Sequence, residues 1–205
     1  MNRTALTLAA AALMITGSAF AQQSQPAQTT PNKPAPTINE RRQNQQDRIA
    51  NGVQSGQLTA GETKNLESRE ANVNREVKDD RQSDNGKLTG RERQQINRQQ
   101  NNLSKSIYTD KHNSQTAHYG NNEIGQRREN QQDRIANGIR SGKMTAGQTA
   151  RVENREQGIN EQDHADRQAN GGKLTGQQKQ QLNRQLNGTS GQIYRVKHSG
   201  KTAHK

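Results

Sequence analysis

The chain of 205 residues has a formal net charge of +12 and contains neither cysteine nor tryptophan. The absence of cysteine excludes disulfide bonds and a lipid-modified cysteine. From Gln22 to Lys205 only 21 of 184 residues are Leu, Ile, Val or Phe, a fraction below the roughly 20 per cent at which disorder becomes the usual expectation. Any core must therefore be thin and aliphatic, and the positive charge indicates nonspecific attraction to anions without naming a partner.

The first segment is typical of an export signal. Met1–Arg3 is a short positive start, Thr4–Gly17 is mostly apolar, and Ala19 and Ala21 form an A-x-A cleavage pattern. The apolar run is shorter than the roughly 20 residues that a membrane-spanning helix needs. We therefore expect cleavage after Ala21, a periplasmic or secreted protein, and no transmembrane segment in the mature chain. Residues 22–37, which contain all four prolines, are expected to form a disordered tether.

From residue 38 onward the sequence repeats itself. Ile38–Tyr119, here called the first repeat, aligns without a gap with Ile124–Lys205, the second repeat, at an offset of 86 residues. Of the 82 aligned positions, 44 are identical. The duplication predicts two tandem helical units, residues 38–119 and 120–205, with a flexible tail at the end of the second.

Each repeat contains two copies of a turn followed by a helix start. The shared string is Gly, a polar residue, Leu or Met, Thr, two further residues, and Glu or Gln. The threonine is expected to cap a helix and the Glu or Gln to complete a capping box, while the glycine permits a turn with positive φ. The predicted boxes pair Thr59 with Glu62, Thr89 with Glu92, Thr145 with Gln148 and Thr175 with Gln178, after turns at Gly56, Gly86, Gly142 and Gly172.

Between the turns, apolar residues recur at helical spacing. Leu66, Val73 and Val77 are seven and four residues apart, which indicates a narrow stripe like a coiled-coil seam, and no stretch alternates as a strand would. The chain is therefore predicted to be all-α and marginally stable, and a homo-oligomer is left open because each seam is thin. The predicted helices are 39–54, 60–81, 90–112, 125–140, 146–167 and 176–198.

Two tyrosines near the ends of the third helices follow an isoleucine. The pairs are Ile107 with Tyr108 and Ile193 with Tyr194. We expect both members of each pair to pack in the core. With Tyr119 as the third tyrosine, the chain has few aromatic faces on which bases could stack. Any contact with nucleic acid is therefore expected to be through phosphates and without sequence specificity.

The turn-and-helix string resembles the second half of an EF-hand calcium loop. On that twelve-residue frame Gly86 occupies the turn, Leu88 the apolar eighth position, Thr89 the ninth and Glu92 the twelfth, where a bidentate carboxylate would sit. The first half of the loop does not follow this frame, since its first position, normally an acidic ligand, is Arg81. The first, third and fifth positions are Arg81, Ser83 and Asn85, and the other three loops open with Asn51, Asn137 and Arg167.

The resemblance implies a helix-loop-helix unit without a bound ion. The overall layout is similar to small exported bacterial proteins built from helical repeats with degenerate EF-hand-like units. That similarity implies a location and a fold, but it implies no activity and no cofactor.

A metal-binding alternative depends on these loops and on histidines near the end of each repeat. Imidazoles suit zinc, copper or nickel, but the histidines are six apart, whereas one helix face aligns residues three or four apart. The spacing therefore favours solvated histidines in a fraying tail. The weak metal candidates are Asn51, Ser55, Glu62, Glu92, His112, His118, His198 and His204.

Catalytic motifs are missing from the sequence. It contains neither a G-x-S-x-G elbow nor an H-E-x-x-H helix. Gly200, Lys201 and Thr202 match the end of a phosphate loop, but Arg195 stands where the earlier glycine is required. We therefore expect no enzymatic activity.

The two repeats differ in charge. The first has 14 basic and 11 acidic residues, a net charge of +3, and the second has 15 and 7, a net charge of +8. The second repeat is therefore the better candidate for a contact with an anionic envelope polymer or an envelope protein, and the alternative explanation of the difference is neutral drift on a solvated surface. The candidate residues are Arg127, Arg128, Arg134, Arg140 and Lys143.

The sequence as a whole predicts a non-enzymatic exported helical scaffold or binding protein of the cell envelope. The alternatives are a metal-binding or metal-responsive exported protein and a basic, partly disordered polyanion binder that orders only when bound.

Overall fold

The computed structural model describes residues 35–203, and this part of the chain contains six α-helices and no strand. The prediction of an all-α fold is confirmed, and every helix begins and ends within two residues of its predicted bounds. The predicted export signal, most of the tether and His204 lie outside the described residues. The helices are α1 Ile38–Gln54, α2 Ala60–Ser83, α3 Gly90–Lys111, α4 Glu123–Arg140, α5 Ala146–Ala169 and α6 Gly176–Lys197.

None of these six helices is both long enough and apolar enough to cross a membrane. Pro36–Lys205 forms one compact unit, so both repeats belong to the same body.

Local side-chain hydrogen bonds mark the starts of the helices. At α2, α3, α5 and α6 the N-cap threonine accepts a hydrogen bond from the amide three residues later, and the Glu or Gln at that position accepts one from the threonine amide. Thr37 and Glu40 form the same box at α1, whereas α4 begins at Asn122 with a single side-chain bond to the Gly125 amide. The turn glycines at 56, 86, 142 and 172 all have positive φ.

The two repeats pack through equivalent helices, α2 against α5 and α1 against α4. Gly61 packs against the side chain of Gln157, and Gly147 packs against Ala71, which is the equivalent of Gln157. These reciprocal contacts make α2 and α5 antiparallel and place a pseudo-two-fold axis midway between them, near Leu66 and its equivalent in the second repeat. The duplication therefore reproduces the reciprocal interface of a symmetric dimer within one chain.

The apolar core has one central cluster and two distal ones. The central cluster combines residues of all six helices from both repeats, including Leu66 and Val152. One distal cluster contains only residues of the first repeat, such as Val73 and Ile96. The other contains only residues of the second, such as Ile159 and Leu182. The repeats therefore share a centre and keep separate outer ends.

The prediction that the paired tyrosines pack in the core is wrong. Ile107 and Ile193 are fully buried, but Tyr108 and Tyr194 are each 60 % exposed. Successive residues of an α-helix point about 100° apart, so the residue that follows a buried isoleucine turns away from the core. Each tyrosine ring stacks instead on the histidine four residues later, with ring centroids 4.2 Å apart.

Candidate functional site

Four glutamates are buried where α2 packs against α5. They form an E-x-x-E pattern in each repeat, Glu67 with Glu70 and Glu153 with Glu156, and none is more than 1 % exposed. Residues three apart share one helix face, and this face also contains Leu66 and its equivalent at the pseudo-two-fold axis. The fold therefore brings carboxyl groups of both repeats together in a shared interior.

Few hydrogen bonds compensate for the burial of these carboxyl groups. The Nε2 of Gln46 donates to Oε2 of Glu67 over 3.1 Å, and the Nε2 of Gln132 donates to Oε2 of Glu153 over the same distance. The second oxygen of each of these glutamates, and both oxygens of Glu156, lie buried without a hydrogen-bond partner. A buried oxygen in this position favours the protonated, neutral carboxyl group.

Burial is the main cause of the raised pKa values in this cluster. The pKa of Glu67 rises to about 8 although the Gln46 amide opposes the shift. Burial raises the pKa of Glu70 to about 7 against the charge of Arg42, and that of Glu156 to about 7 against Arg128. Burial and the nearby Glu156 raise the pKa of Glu153 well above its ordinary value. The cluster therefore holds protons at neutral pH.

The cluster is not arranged as a metal centre. Within residues 35–203 no three His, Cys, Asp or Glu side chains are placed so that they could hold a metal ion. Carboxyl groups whose pKa values are raised in this way can take up and release protons near neutral pH.

The side chains proposed as metal ligands in the turn-and-helix strings already make hydrogen bonds within the fold. Oε2 of Glu62 accepts from the amide and hydroxyl of Thr59, over 2.9 and 2.7 Å, and Oε1 accepts from Asn113 over 2.6 Å. Glu92 likewise accepts from a backbone amide, over 2.7 Å. Asn51 lies within α1 and accepts a hydrogen bond from a guanidinium of the other repeat. Ser55, the C-cap of α1, donates to the Gly52 carbonyl and to Gln57.

The histidines lie at two kinds of position. His112 and His198 are the C-caps of α3 and α6, and each Nδ1 is 2.7 Å from the carbonyl oxygen four residues earlier. His118 lies farther along the segment after α3, with its Nε2 2.6 Å from the hydroxyl of Thr116. That segment is joined to the α1–α2 turn by a backbone hydrogen bond of 2.8 Å from Ala117 to Gly56. This hydrogen bond ties the segment to the fold, while the side chains of His112 and His118 are exposed.

Arg128 is not a surface contact, so its assignment to a polyanion-binding face is wrong. It is only 5 % exposed, its Nη1 lies 4.0 Å from Oδ2 of Asp163, and its guanidinium lies over the ring of Tyr119 at 5.3 Å. The positive charge of Arg128 interacts with Asp163 and Glu156 inside the protein.

Two further candidates, Arg127 and Arg134, join α4 to α6. Nη1 of Arg127 donates to Oδ1 of Asn183 over 2.7 Å, and Nη2 of Arg134 donates to the carbonyl oxygen of Ser190 over 3.1 Å. Both side chains are half-buried. The equivalent residues of the first repeat, Arg41 and Arg48, donate the same hydrogen bonds to α3. These contacts therefore belong to the architecture of each repeat.

The last two candidates, Arg140 and Lys143, line one cavity of about 360 Å3 together with Lys197. Its other lining residues are Asn137 and Ser141, so no carboxylate lines it. Burial, together with the charges of Arg134 and Lys143, lowers the pKa of Lys197. We call this cavity the cationic cavity. A bound anion would reduce the electrostatic repulsion among its positive charges.

The charge of the cationic cavity is specific to the second repeat. The residues equivalent to Arg140 and Lys143 are Gln54 and Gln57. Lys197 was missed by sequence reasoning because it is more than 50 residues away from the other two and only the packing of α6 beside α4 joins them. The one signal in the sequence is that its equivalent, Lys111, is also a lysine.

No protein-family model, curated protein or solved structure matches this chain. The function has to be inferred from the cationic cavity, the buried glutamates and the duplicated fold themselves.

Proposed function

We propose that this chain is a non-enzymatic, exported helical binding protein of the cell envelope that holds anionic polymers at the cationic cavity. The observation that supports the proposal is the convergence of Arg140, Lys143 and Lys197 on one cavity that no carboxylate lines. Such a site offers charge-assisted hydrogen bonds to phosphate, sulfate or carboxylate groups.

The position of Arg140 is fixed before any ligand binds. Its Nη2 donates to Oδ1 of Asn51 over 2.9 Å and to Oε1 of Gln54 over 2.7 Å, both on α1. A guanidinium held by neutral amides keeps its full charge for an anion. Because these two partners lie in the other repeat, and only Asn137 among its partners lies on α4, the packing of α1 against α4 helps to form the site.

The test is to remove the charge that distinguishes the second repeat from the first. The variant Arg140→Gln with Lys143→Gln introduces the residues found at the equivalent positions, and we expect its affinity for polygalacturonate and for polyphosphate to fall at least about tenfold in low salt. Weakened binding with a shallower dependence on salt is the expected signature, since each lost phosphate contact removes about one unit from the slope of log K against log salt. Isothermal titration at two salt concentrations measures both quantities.

A matched control removes two charges elsewhere. Arg98 and Lys105 are exposed residues of α3, and their double replacement by Gln changes the net charge by the same amount. If the control loses as much affinity as the cavity variant, binding depends on net charge alone and the proposed site is wrong.

A further inference from the structure

A second kind of cavity occurs twice, once in each repeat. The first, of about 580 Å3, lies between the start of α1, the end of α2 and the start of α3. The second, of about 290 Å3, lies between the start of α4, the end of α5 and the start of α6. Each of the nine residues that line the second is the equivalent, at an offset of 86, of a residue that lines the first. We call them the paired cavities. Ligand pockets typically have volumes of about 300–1,000 Å3, so the first cavity lies within this range and the second lies close to its lower limit.

The paired cavities keep their positive charge although the repeats have diverged. Only 44 of 82 aligned positions are identical overall, but the lining cations correspond at all three positions. Two are identical, and the third is Arg in one repeat and Lys in the other. The cations are Arg81, Lys87 and Arg93 in the first cavity and Arg167, Lys173 and Lys179 in the second.

Three of these cations, all lysines, have no partner within the described part of the protein. Within the described residues, the ammonium groups of Lys87, Lys173 and Lys179 are exposed and make no hydrogen bond or ion pair with the protein. Arg167 differs, because it donates to Oδ1 of Asp163 over 2.8 Å and to the Gly172 carbonyl over 3.4 Å. The lysines are therefore the groups available to an anion.

An amide is oriented as a donor in each cavity. Oδ1 of Asn97 accepts from Arg41 over 3.1 Å, and Oδ1 of Asn183 accepts from Arg127 over 2.7 Å. Because the oxygen is occupied, the Nδ2 group of each asparagine remains to donate hydrogen bonds. Such a donor suits a hydroxyl or a carboxylate oxygen.

Each cavity also has an apolar side. Ile38 and Leu88 line the first cavity and belong to the distal core of the first repeat. Ile124 and Leu174 do the same in the second. An apolar surface beside cations and an amide donor complements a ring that has a C–H face, hydroxyl groups and an acidic substituent. No aromatic residue lines either cavity, which disfavours nucleic-acid bases as occupants because they bind by stacking.

We propose that the paired cavities are equivalent subsites for acidic sugar units of an anionic polysaccharide, so that the duplication makes the protein bivalent. This inference rests on the proposed function and names the class of polymer. The first cavity is the stronger site, because the second is smaller and is also lined by the carboxylate of Glu123.

The symmetry sets the distance that a bridging polymer must span. Arg81 is 15 residues beyond Leu66 on α2, which at 1.5 Å per residue places each cavity about 22 Å from the pseudo-two-fold axis along α2 and α5, and the two about 45 Å apart. A short oligosaccharide fills one cavity at a time. A long chain engages both and gains affinity through effective concentration.

The experiment compares a galacturonate trimer with polygalacturonate by isothermal titration. Lys87→Gln with Arg93→Gln removes charge from the first cavity, and Lys173→Gln with Lys179→Gln from the second. In the Arg140→Gln, Lys143→Gln background, which removes the cationic cavity as a further site, the trimer is expected to bind two per chain, and one per chain when either paired-cavity variant is added. Polygalacturonate is expected to bind at least about tenfold more weakly to either variant, because bivalency is lost. The control with Arg98→Gln and Lys105→Gln, made in the same background, is expected to keep two trimers per chain.

Three results would overturn the inference: no saturable binding of the trimer at millimolar concentration, a stoichiometry unchanged by the variants, or a loss of polymer affinity no larger than in the control. Single-stranded DNA that binds as tightly, with the same sensitivity to the variants, would assign the cavities to phosphate chains instead. The Arg140→Gln, Lys143→Gln variant separates the two hypotheses. Loss of polymer binding in that variant alone supports the proposed function and overturns this inference. Loss only in the paired-cavity variants supports this inference, keeps the binding of anionic polymers as the function, and overturns its assignment to the cationic cavity.

Discussion

The buried glutamates predict that the protein is less stable at mildly alkaline pH than at mildly acidic pH. The folded-state pKa of Glu67 is about 8, against an ordinary value of 4.5. Between these values the folded chain binds more protons than the unfolded chain, so the free energy of unfolding must fall as the pH rises. The stabilisation is fully present below about pH 4.5 and is lost as the pH passes through about 8.

The size of the effect follows from the shift. A difference of about 3.5 units at about 1.4 kcal/mol per unit gives an upper limit of about 5 kcal/mol for Glu67 alone. That limit is comparable to the whole stability of a small domain, about 5–15 kcal/mol. Water entry and local relaxation reduce it, and we expect a loss of at least about 2 kcal/mol between pH 5 and pH 8, or roughly 4–8 °C in Tm for a chain of this length.

The perturbation that tests this reasoning is Glu67→Gln combined with Glu153→Gln. Glutamine has the shape of the protonated acid and cannot ionise, and it retains an oxygen that accepts from Gln46 or Gln132. The variant is therefore expected to match the unchanged protein at pH 5, to exceed it in Tm at pH 8, and to show a flatter dependence on pH. Thermal unfolding followed by circular dichroism at pH 5, 6, 7 and 8 gives all three results.

A control replaces two glutamates outside the cluster, Glu76 and Glu129, by the glutamines found at the equivalent positions of the other repeat. This control is expected to retain the pH profile of the unchanged protein. A Tm that is constant or rises from pH 5 to pH 8 in the unchanged protein, or an equal slope in the Glu67→Gln, Glu153→Gln variant, would refute the reasoning.

Two further predictions concern packing, and the same thermal unfolding measures them. Gly125→Ala is expected to lower stability by at least about 1–3 kcal/mol, because a Cβ would overlap carbonyl oxygens of residues 119–120. Gly188→Ala, at an open helical position, is expected to stabilise by about 0.5–1 kcal/mol, and equal effects of the two would contradict this account. Ile107→Ala is expected to cost about 2–5 kcal/mol and Tyr108→Ala less than about 1, and a larger loss for the tyrosine would show that it is not a surface residue.

The helices could be predicted from the sequence because their determinants are local. Thr89 and Glu92 lie three residues apart and form a capping box without help from the rest of the fold. Gly86 likewise adopts positive φ within its own turn. Such signals fix where each helix starts and ends, but they say nothing about which helices meet.

The sites could be predicted only in part, as Arg140 and Lys143 were, because they depend on which helices meet. The interior position of Arg128 depends on Asp163 and Tyr119, which come from other segments, and a run of basic residues looks the same whether it is exposed or buried. The cationic cavity joins Arg140 to Lys197 across two helices. The tyrosine prediction failed for a different reason, since the helical period already placed Tyr108 away from the face that contains Ile107.

The buried glutamates could have been noticed in the comparison of the two repeats, although the overall composition does not single them out. Glu62 and Glu92 are replaced by glutamine in the second repeat, and the capping boxes persist because the amide oxygen accepts the same hydrogen bond. Glu67 and Glu70, in contrast, are glutamate in both repeats. These two positions lie on the apolar face of α2, where glutamine would also fit and would remove the charge that burial opposes. We therefore expect these acids to make stability depend on pH, and we expect the fold to form equally well with glutamine at their positions.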